Sequence, residues 1–234
     1  MKSLHKTFDI LEYVILQNGA NVTPSAAAEA LGVNLATCTR IMGELVKRGY
    51  LEKVSRKSGY IAGPMIASLN TREYWYKRLA SAAEDPIRNL SEQLGCQVNI
   101  SVLHEGQRIM LFYYLSSYPA GPWQVFRFSD HWETATGRLL LAALEDSEAK
   151  KVCRMCGIKP YPQEELQQIR KDGFVRFELD SLCVIGHWIR VSGYPAAAFG
   201  FGVQLMMADR AFELSEAAAK EICKKLAMPV CQAY

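Results

Sequence analysis

The stretch from Thr23 to Ala62 constrains the fold more than any other, because closely spaced helix starts and stops leave only a few residues between elements. Thr23-Pro24 sets an N-cap residue before a proline at the first helical position, and the Ala-rich Ser25–Leu31 runs on to Gly32. Gly32-Val33 turns the chain. Asn34 then caps a third helix whose apolar positions Leu35, Cys38, Ile41, Met42, Leu45 and Val46 form one stripe ending at Arg48-Gly49. Upstream, Leu4, Phe8, Leu11, Ile15 and Leu16 recur at helical spacing and predict a first helix from Ser3 to about Asn18, where Asn18-Gly19 supplies a stop. Downstream, Tyr50–Val54 alternates apolar and polar, Ser55–Gly59 is a polar basic turn, and Tyr60–Ala62 returns as a second strand. Three helices followed by a hairpin read as a winged helix-turn-helix.

Such a motif places its third helix in the major groove of duplex DNA. Thr37, Thr39 and Arg40 then reach base edges or nearby phosphates, while Leu35 and Ile41 hold the helix to its core. Arg56 and Lys57 at the wing tip are expected to contact backbone or minor groove. Charge agrees in sign: residues 1–65 hold eight Lys and Arg against five Asp and Glu, whereas the remainder holds 19 of each. The competing readings are ordinary solvated cations on a small helical domain, or a winged fold turned to protein binding.

The stretch from Leu4 to Leu69 resembles the N-terminal domain of IclR-type transcriptional regulators. The likeness is carried by Ala26–Leu31, Thr37–Leu45, Gly49-Tyr50-Leu51 and Tyr60-Ile61-Ala62-Gly63, with Ala62 where the family usually has leucine. Ile66, Leu69, Tyr74 and Trp75 lie near helical spacing, so 65–77 reads as a linker helix between a DNA-binding domain (1–64) and a second domain (78–234). The resemblance implies that this helix joins the two and helps pair the DNA domains of a dimer. Tyr74, Trp75 and Tyr76 mark either a packed junction or the core of one subunit.

Beyond Gly95 the pattern turns to β runs at Gln97–Leu103 and Arg108–Leu115, then Gln124–Phe128. Helices follow at about Gly137–Leu144, Ser147–Cys156 and Gln163–Lys171. Strands at Phe174–Glu178, Cys183–Val191 and Ala196–Leu205 precede a closing helix at Ser215–Leu226. The whole is α+β, with helices around a mostly antiparallel sheet in the second domain. The element order resembles the GAF-like effector-binding domain of the same family, most closely at Thr134–Ala142. Ala135, Thr136 and Gly137 open a helix, where backbone N–H groups and the helix dipole favour a carboxylate; simple N-capping is the plain alternative.

By resemblance, an acidic residue falls on Glu178 (or Asp180) and a ligand-contacting cysteine on Cys183. The family's small hydroxyl residues on the last strand correspond to Gly200 and Gly202, so two hydrogen-bonding side chains are replaced by hydrogen. Either the pocket takes a larger or more apolar ligand, or nothing binds there. Phe126, Phe128, Trp132, Trp188 and Phe199 on pocket-lining segments fit an aromatic effector, or are plain core.

Other chemistry finds little support. Cys153-Arg154-Met155-Cys156 is half a zinc site or a redox pair with no second half, and His5, His104, His131 and His187 show no metal-ligand spacing. There is no G-x-S-x-G elbow and no phosphate-cradling glycine loop, so neither catalytic residues, metal nor cofactor are expected. Seven cysteines at irregular spacing and a polar N-terminus suit a reducing cytoplasm. The expected partners are double-stranded DNA, a small organic effector of aromatic or carboxylate character, and further copies of the chain in a homodimer or homotetramer, with no membrane. Two alternatives stay open: a redox-sensing regulator working through Cys183, and a ligand-independent DNA-binding dimer. An enzymatic role ranks behind both.

Overall fold

The computed structural model describes residues 2–55, 58–71, 74–114 and 127–227. They form two compact units, one ending at Thr71 and the other starting at Tyr74. Among them no helix is long and apolar enough to cross a membrane.

The first unit runs α1 (Lys2–Leu16), α2 (Pro24–Leu31), α3 (Leu35–Lys47), β1 (Leu51–Ser55), β2 (Gly59–Ala62) and α4 (Pro64–Asn70). Its core is Ile10, Val14, Val22, Ala27, Cys38, Ile41, Met42, Leu45, Leu51 and Tyr60. The α1 face differs from the one expected. Leu4 and Phe8 are exposed, at 60% and 53%, and Ile10 and Val14 face inward instead. This helix is apolar on more than one side, so periodicity alone does not say which side docks. Strands β1 and β2 pair antiparallel with a bulge between Lys53 and Ser55, and Val22 bridges to Tyr60 through reciprocal 2.8 Å backbone hydrogen bonds.

The linker region is not one helix over 65–77. The chain forms α4 in the first unit and then α5 (Trp75–Leu94) in the second. Helix α5 also runs through Pro86. Proline costs an internal hydrogen bond, but Leu79, Ala83, Ile87, Leu90 and Leu94 form a continuous buried stripe that holds the helix together across it.

The second unit is built on an antiparallel sheet in the order β5-β4-β3-β8-β7-β6, comprising β3 (Val98–His104), β4 (Gln107–Tyr114), β5 (Arg127–Phe128), β6 (Phe174–Leu179), β7 (Leu182–Ile189) and β8 (Ala197–Gln204). Of the expected strand Gln124–Phe128, residues 124–126 lie outside the described residues. Helices α5 and α9 (Ala208–Ala227) cover one face around Ile100, Ile185, Phe199 and Ile222. Helix α9 starts seven residues before the expected Ser215. The other face carries α6 (Ala135–Ala142), α7 (Asp146–Met155) and α8 (Gln163–Asp172), packed through Leu139, Leu141, Val152, Leu166 and Trp188. Strand alternation therefore turns successive side chains of β7 and β8 toward opposite faces of the sheet.

Candidate functional site

The candidate DNA-reading surface is assembled by caps. Thr23 Oγ1 accepts from Ala26 N at 3.2 Å to start α2, and Gly32 ends it in the left-handed region at φ 61°. Two residues later, Asn34 Oδ1 accepts from Ala36 N at 2.9 Å and from Thr37 N at 3.4 Å, which starts α3. Cys38, Ile41, Met42 and Leu45 bury one side of α3. Ala36, Thr39 and Arg40 stand on its exposed side and Thr37 is half-buried.

One expected anchor is not one. Ile41 is in the core, but Leu35 is 50% exposed. It is the first helical residue, and the buried stripe begins only one turn later, at Cys38. Its exposure leaves an apolar side chain on the first turn of α3.

The wing is closed by Ser55, whose Oγ accepts from Ser58 N at 2.8 Å. Gly59 adopts φ +90° where the hairpin crosses Val22, and a Cβ there would lie 2.3 Å from the Val22 carbonyl oxygen. Arg56 and Lys57 lie outside the described residues. Lys47 pairs with Glu44 at 2.6 Å on the surface, a contact worth little in water, so its ammonium is readily exchanged to a phosphate.

In the second unit, the structure brings some expected effector contacts together and separates others. Gly200 and Gly186 lie under the start of α6: a Cβ on Gly200 would sit 3.1 Å from Ala135 Cβ and 3.3 Å from Thr136 Cγ2, and one on Gly186 2.7 Å from Ala135 Cβ. The glycines thus let the helix lie directly on the sheet. Ala135, Thr136 and Gly137 are buried, and Gly137 N donates to Thr134 Oγ1 at 3.1 Å, the plain N-capping alternative. Gly202 is also on this face, beside Leu182.

Glu178 and Cys183 are not on this face. They pair across β6 and β7, and Cys183, only 2% exposed, belongs to the core beneath α5 and α9. Arg176, two residues before Glu178, reaches Asp209 of α9 at 2.8 Å, which fixes the same orientation. Phe199 also faces α9, stacked on His187 at 5.5 Å between centroids. Trp188 is on the α6 side, its Nε1 donating to Leu139 O at 2.7 Å. Phe126 lies outside the described residues.

Sequence reading missed a polar network on the α6 side. Buried Arg108 donates to Asp130 through Nε (3.1 Å) and Nη2 (2.7 and 2.8 Å), and through Nη1 to Ser101 Oγ at 3.0 Å. Ser101 Oγ donates to Asn99 Oδ1 at 3.3 Å, and Asn99 Nδ2 donates to Gly200 O at 3.2 Å. Phe128 lies against the Arg108 guanidinium at 4.6 Å. The polar residue at every second position of β3, Asn99 and then Ser101, was the available signal.

Cys153 is buried and Cys156, at the end of α7, lies 3.5 Å from His131 Nδ1. Burial raises the pKa of both thiols, the opposite of an activated cysteine. Among the described residues no group of three His, Cys, Asp or Glu is arranged to hold a metal.

Comparison with known proteins agrees with this geometry. Residues 3–55 match the IclR helix-turn-helix domain. The matched stretch covers the two caps, α3 and the first wing strand described above. The IclR-type fold extends over nearly the whole chain. An IclR homologue from Microbacterium hydrocarbonoxydans in complex with 4-hydroxybenzoate superposes with a TM-score of 0.74 at 19% identity, covering 96% of this chain and 98% of that one. The Thermotoga maritima IclR gives 0.65 at 20% identity over 97% and 100%. An IclR transcriptional regulator from Alicyclobacillus acidocaldarius gives 0.71 at 18% over 96% and 98%. No curated protein matches the sequence.

Proposed function

We propose that the protein is a transcriptional regulator that binds a pseudo-palindromic DNA site through α3 and its wing, under the control of a small organic effector held by the second unit. One observation carries the reading. Within an IclR helix-turn-helix domain, the capped start of α3 leaves Thr39 and Arg40 exposed on the side opposite the core, where a reading helix meets base edges. Arg56 and Lys57 supply phosphate contacts from the wing. Leu4 and Phe8 on α1 and Met65 and Leu69 on α4 are exposed apolar side chains, which supports a homodimer or homotetramer.

The effector is a small aromatic or carboxylate compound. Its relative from Microbacterium hydrocarbonoxydans holds 4-hydroxybenzoate, which has both characters. In this chain the groups suited to it are on the α6 side of the sheet, at Asn99, Arg108 and Thr136 beside Gly200, rather than at Glu178 and Cys183. Effector control follows from linkage: a ligand that prefers one arrangement of the paired subunits changes DNA affinity by its differential affinity for the two. The burial of Cys183 argues against the redox-sensing alternative, since an oxidant has no access to a thiol enclosed by core side chains.

Selection of bound duplexes from a random library by the purified protein tests the reading. Enrichment of a two-fold motif is expected; a folded protein that enriches nothing would overturn it. The effector site is tested by comparing the response of that complex to added aromatic acids in wild type and in Asn99→Ala. The response is expected to weaken in Asn99→Ala and to persist in Cys183→Ser.

A further inference from the structure

The first turn of α3 exposes two apolar residues, Leu35 and Ala36, where a DNA-reading helix enters the major groove. Periodicity places Leu35 in the core, yet it is 50% exposed, which leaves half of an aliphatic side chain open at the start of α3. It follows the Asn34 cap directly, so the cap fixes where the side chain begins. Thr39 stands one turn beyond Leu35, and Arg40 one turn beyond Ala36; all four lie outside the buried stripe of Cys38, Ile41, Met42 and Leu45.

Resting on the reading of α3 as the DNA-contacting helix, we propose that Leu35, with Ala36, is a specificity residue that recognises the 5-methyl group of thymine. Charge complementarity sets the occupant. Arg40, Lys47 and Arg48 on and just beyond the same helix draw this face to a polyanion, not to an apolar protein surface. In the major groove, the thymine methyl is the apolar feature of the base edges, and aliphatic side chains are the groups that read it. Neither Leu35 nor Ala36 has a side-chain donor or acceptor, so these two side chains have no means of reading an amino or carbonyl edge. Hydrogen-bonding readout falls to Thr37, Thr39 and Arg40. The half-site therefore contains a thymine where the start of α3 lies, adjacent to the position read by Arg40.

The test uses the full-length protein and the duplex that it selects. Each thymine of one half-site is replaced in turn by deoxyuridine, which keeps the pairing and every hydrogen-bonding group and removes only the methyl. Wild type is expected to bind about fourfold more weakly at one or two positions, the factor that corresponds to burying one methyl-sized group. In Leu35→Ser, which is compatible with the first turn of a helix, the deoxyuridine penalty at those positions is expected to vanish, while the loss caused by Arg40→Ala remains. No deoxyuridine penalty anywhere in the half-site, or a penalty unchanged in Leu35→Ser, would overturn the proposal and leave DNA reading by α3 intact. A protein that enriches no duplex at all overturns both.

Discussion

Arg40 and His187 show how one side chain's surroundings set what it can do. Arg40 is exposed on the side of α3 away from its core, where base reading is proposed, so Arg40→Ala is expected to weaken binding to the selected site by about 1–3 kcal/mol while hardly changing affinity for random duplex. Filter-binding or fluorescence titration on the two duplexes separates these; equal losses on both would make Arg40 a phosphate contact. His187 is enclosed by Phe174, Phe199 and Phe212, and its Nε2 donates to Ser215 Oγ at 2.8 Å because that hydroxyl gives its own proton to Phe212 O. Burial lowers its pKa from 6.5 to about 4, so the folded protein holds it neutral where the unfolded chain would protonate it. Its contribution to stability is whole above pH 6.5 and is lost as pH falls toward 4, amounting to about 2–3 kcal/mol near pH 4.5. Denaturant titration is expected to show a smaller acid loss for His187→Gln, which keeps a donor for Ser215 and cannot titrate. Parallel pH curves for the two proteins would show that His187 does not contribute to the acid loss.

At the scale of elements, packing places the helix that sequence patterns only outline. Helix α6 rests on Gly186 and Gly200, and Gly186→Ala would drive a methyl group to 2.7 Å from Ala135 Cβ and 2.9 Å from Phe199 O. The expected cost is about 1–3 kcal/mol in thermal or chemical unfolding, relieved in part by adding Ala135→Gly, which removes the first of these clashes. No destabilisation by Gly186→Ala would mean that α6 does not press on the sheet. The start of α3 depends on Asn34, so Asn34→Ala is expected to cost the first unit about 1 kcal/mol and to weaken DNA binding through a frayed reading turn. Of these two features, the Asn34 cap was legible in the sequence because capping is local chemistry. The helix-on-sheet contact was not: Gly186 and Gly200 are far from Ala135 along the chain, and a missing Cβ has no meaning until its neighbour is known. The same holds for Glu178 and Cys183, whose face of the sheet depends on strand register, since a shift of one residue reverses every side chain.

For the whole molecule, charge is concentrated at one end of the chain, with eight basic against five acidic residues in 1–65 and balance beyond. DNA affinity is therefore expected to fall steeply with salt, and Lys57→Ala to lower the slope of log affinity against log salt by roughly 0.9 for each copy bound, hence about 1.8 for a dimer. A slope unchanged by Lys57→Ala would remove that residue from the phosphate contacts. The sequence by itself determined the helix-turn-helix order, its caps, the wing and the α+β character of the second unit, because these depend on spacing, turn residues and capping within a few positions of one another. Only the tertiary structure decided which side of α1 is buried, that α5 passes through Pro86, that Leu35 is exposed and that Arg108 joins Asp130, Ser101 and Asn99. Each of these is settled by what packs against a residue from far along the chain, and a one-dimensional pattern holds several such arrangements at nearly equal cost until the docking of layers selects one.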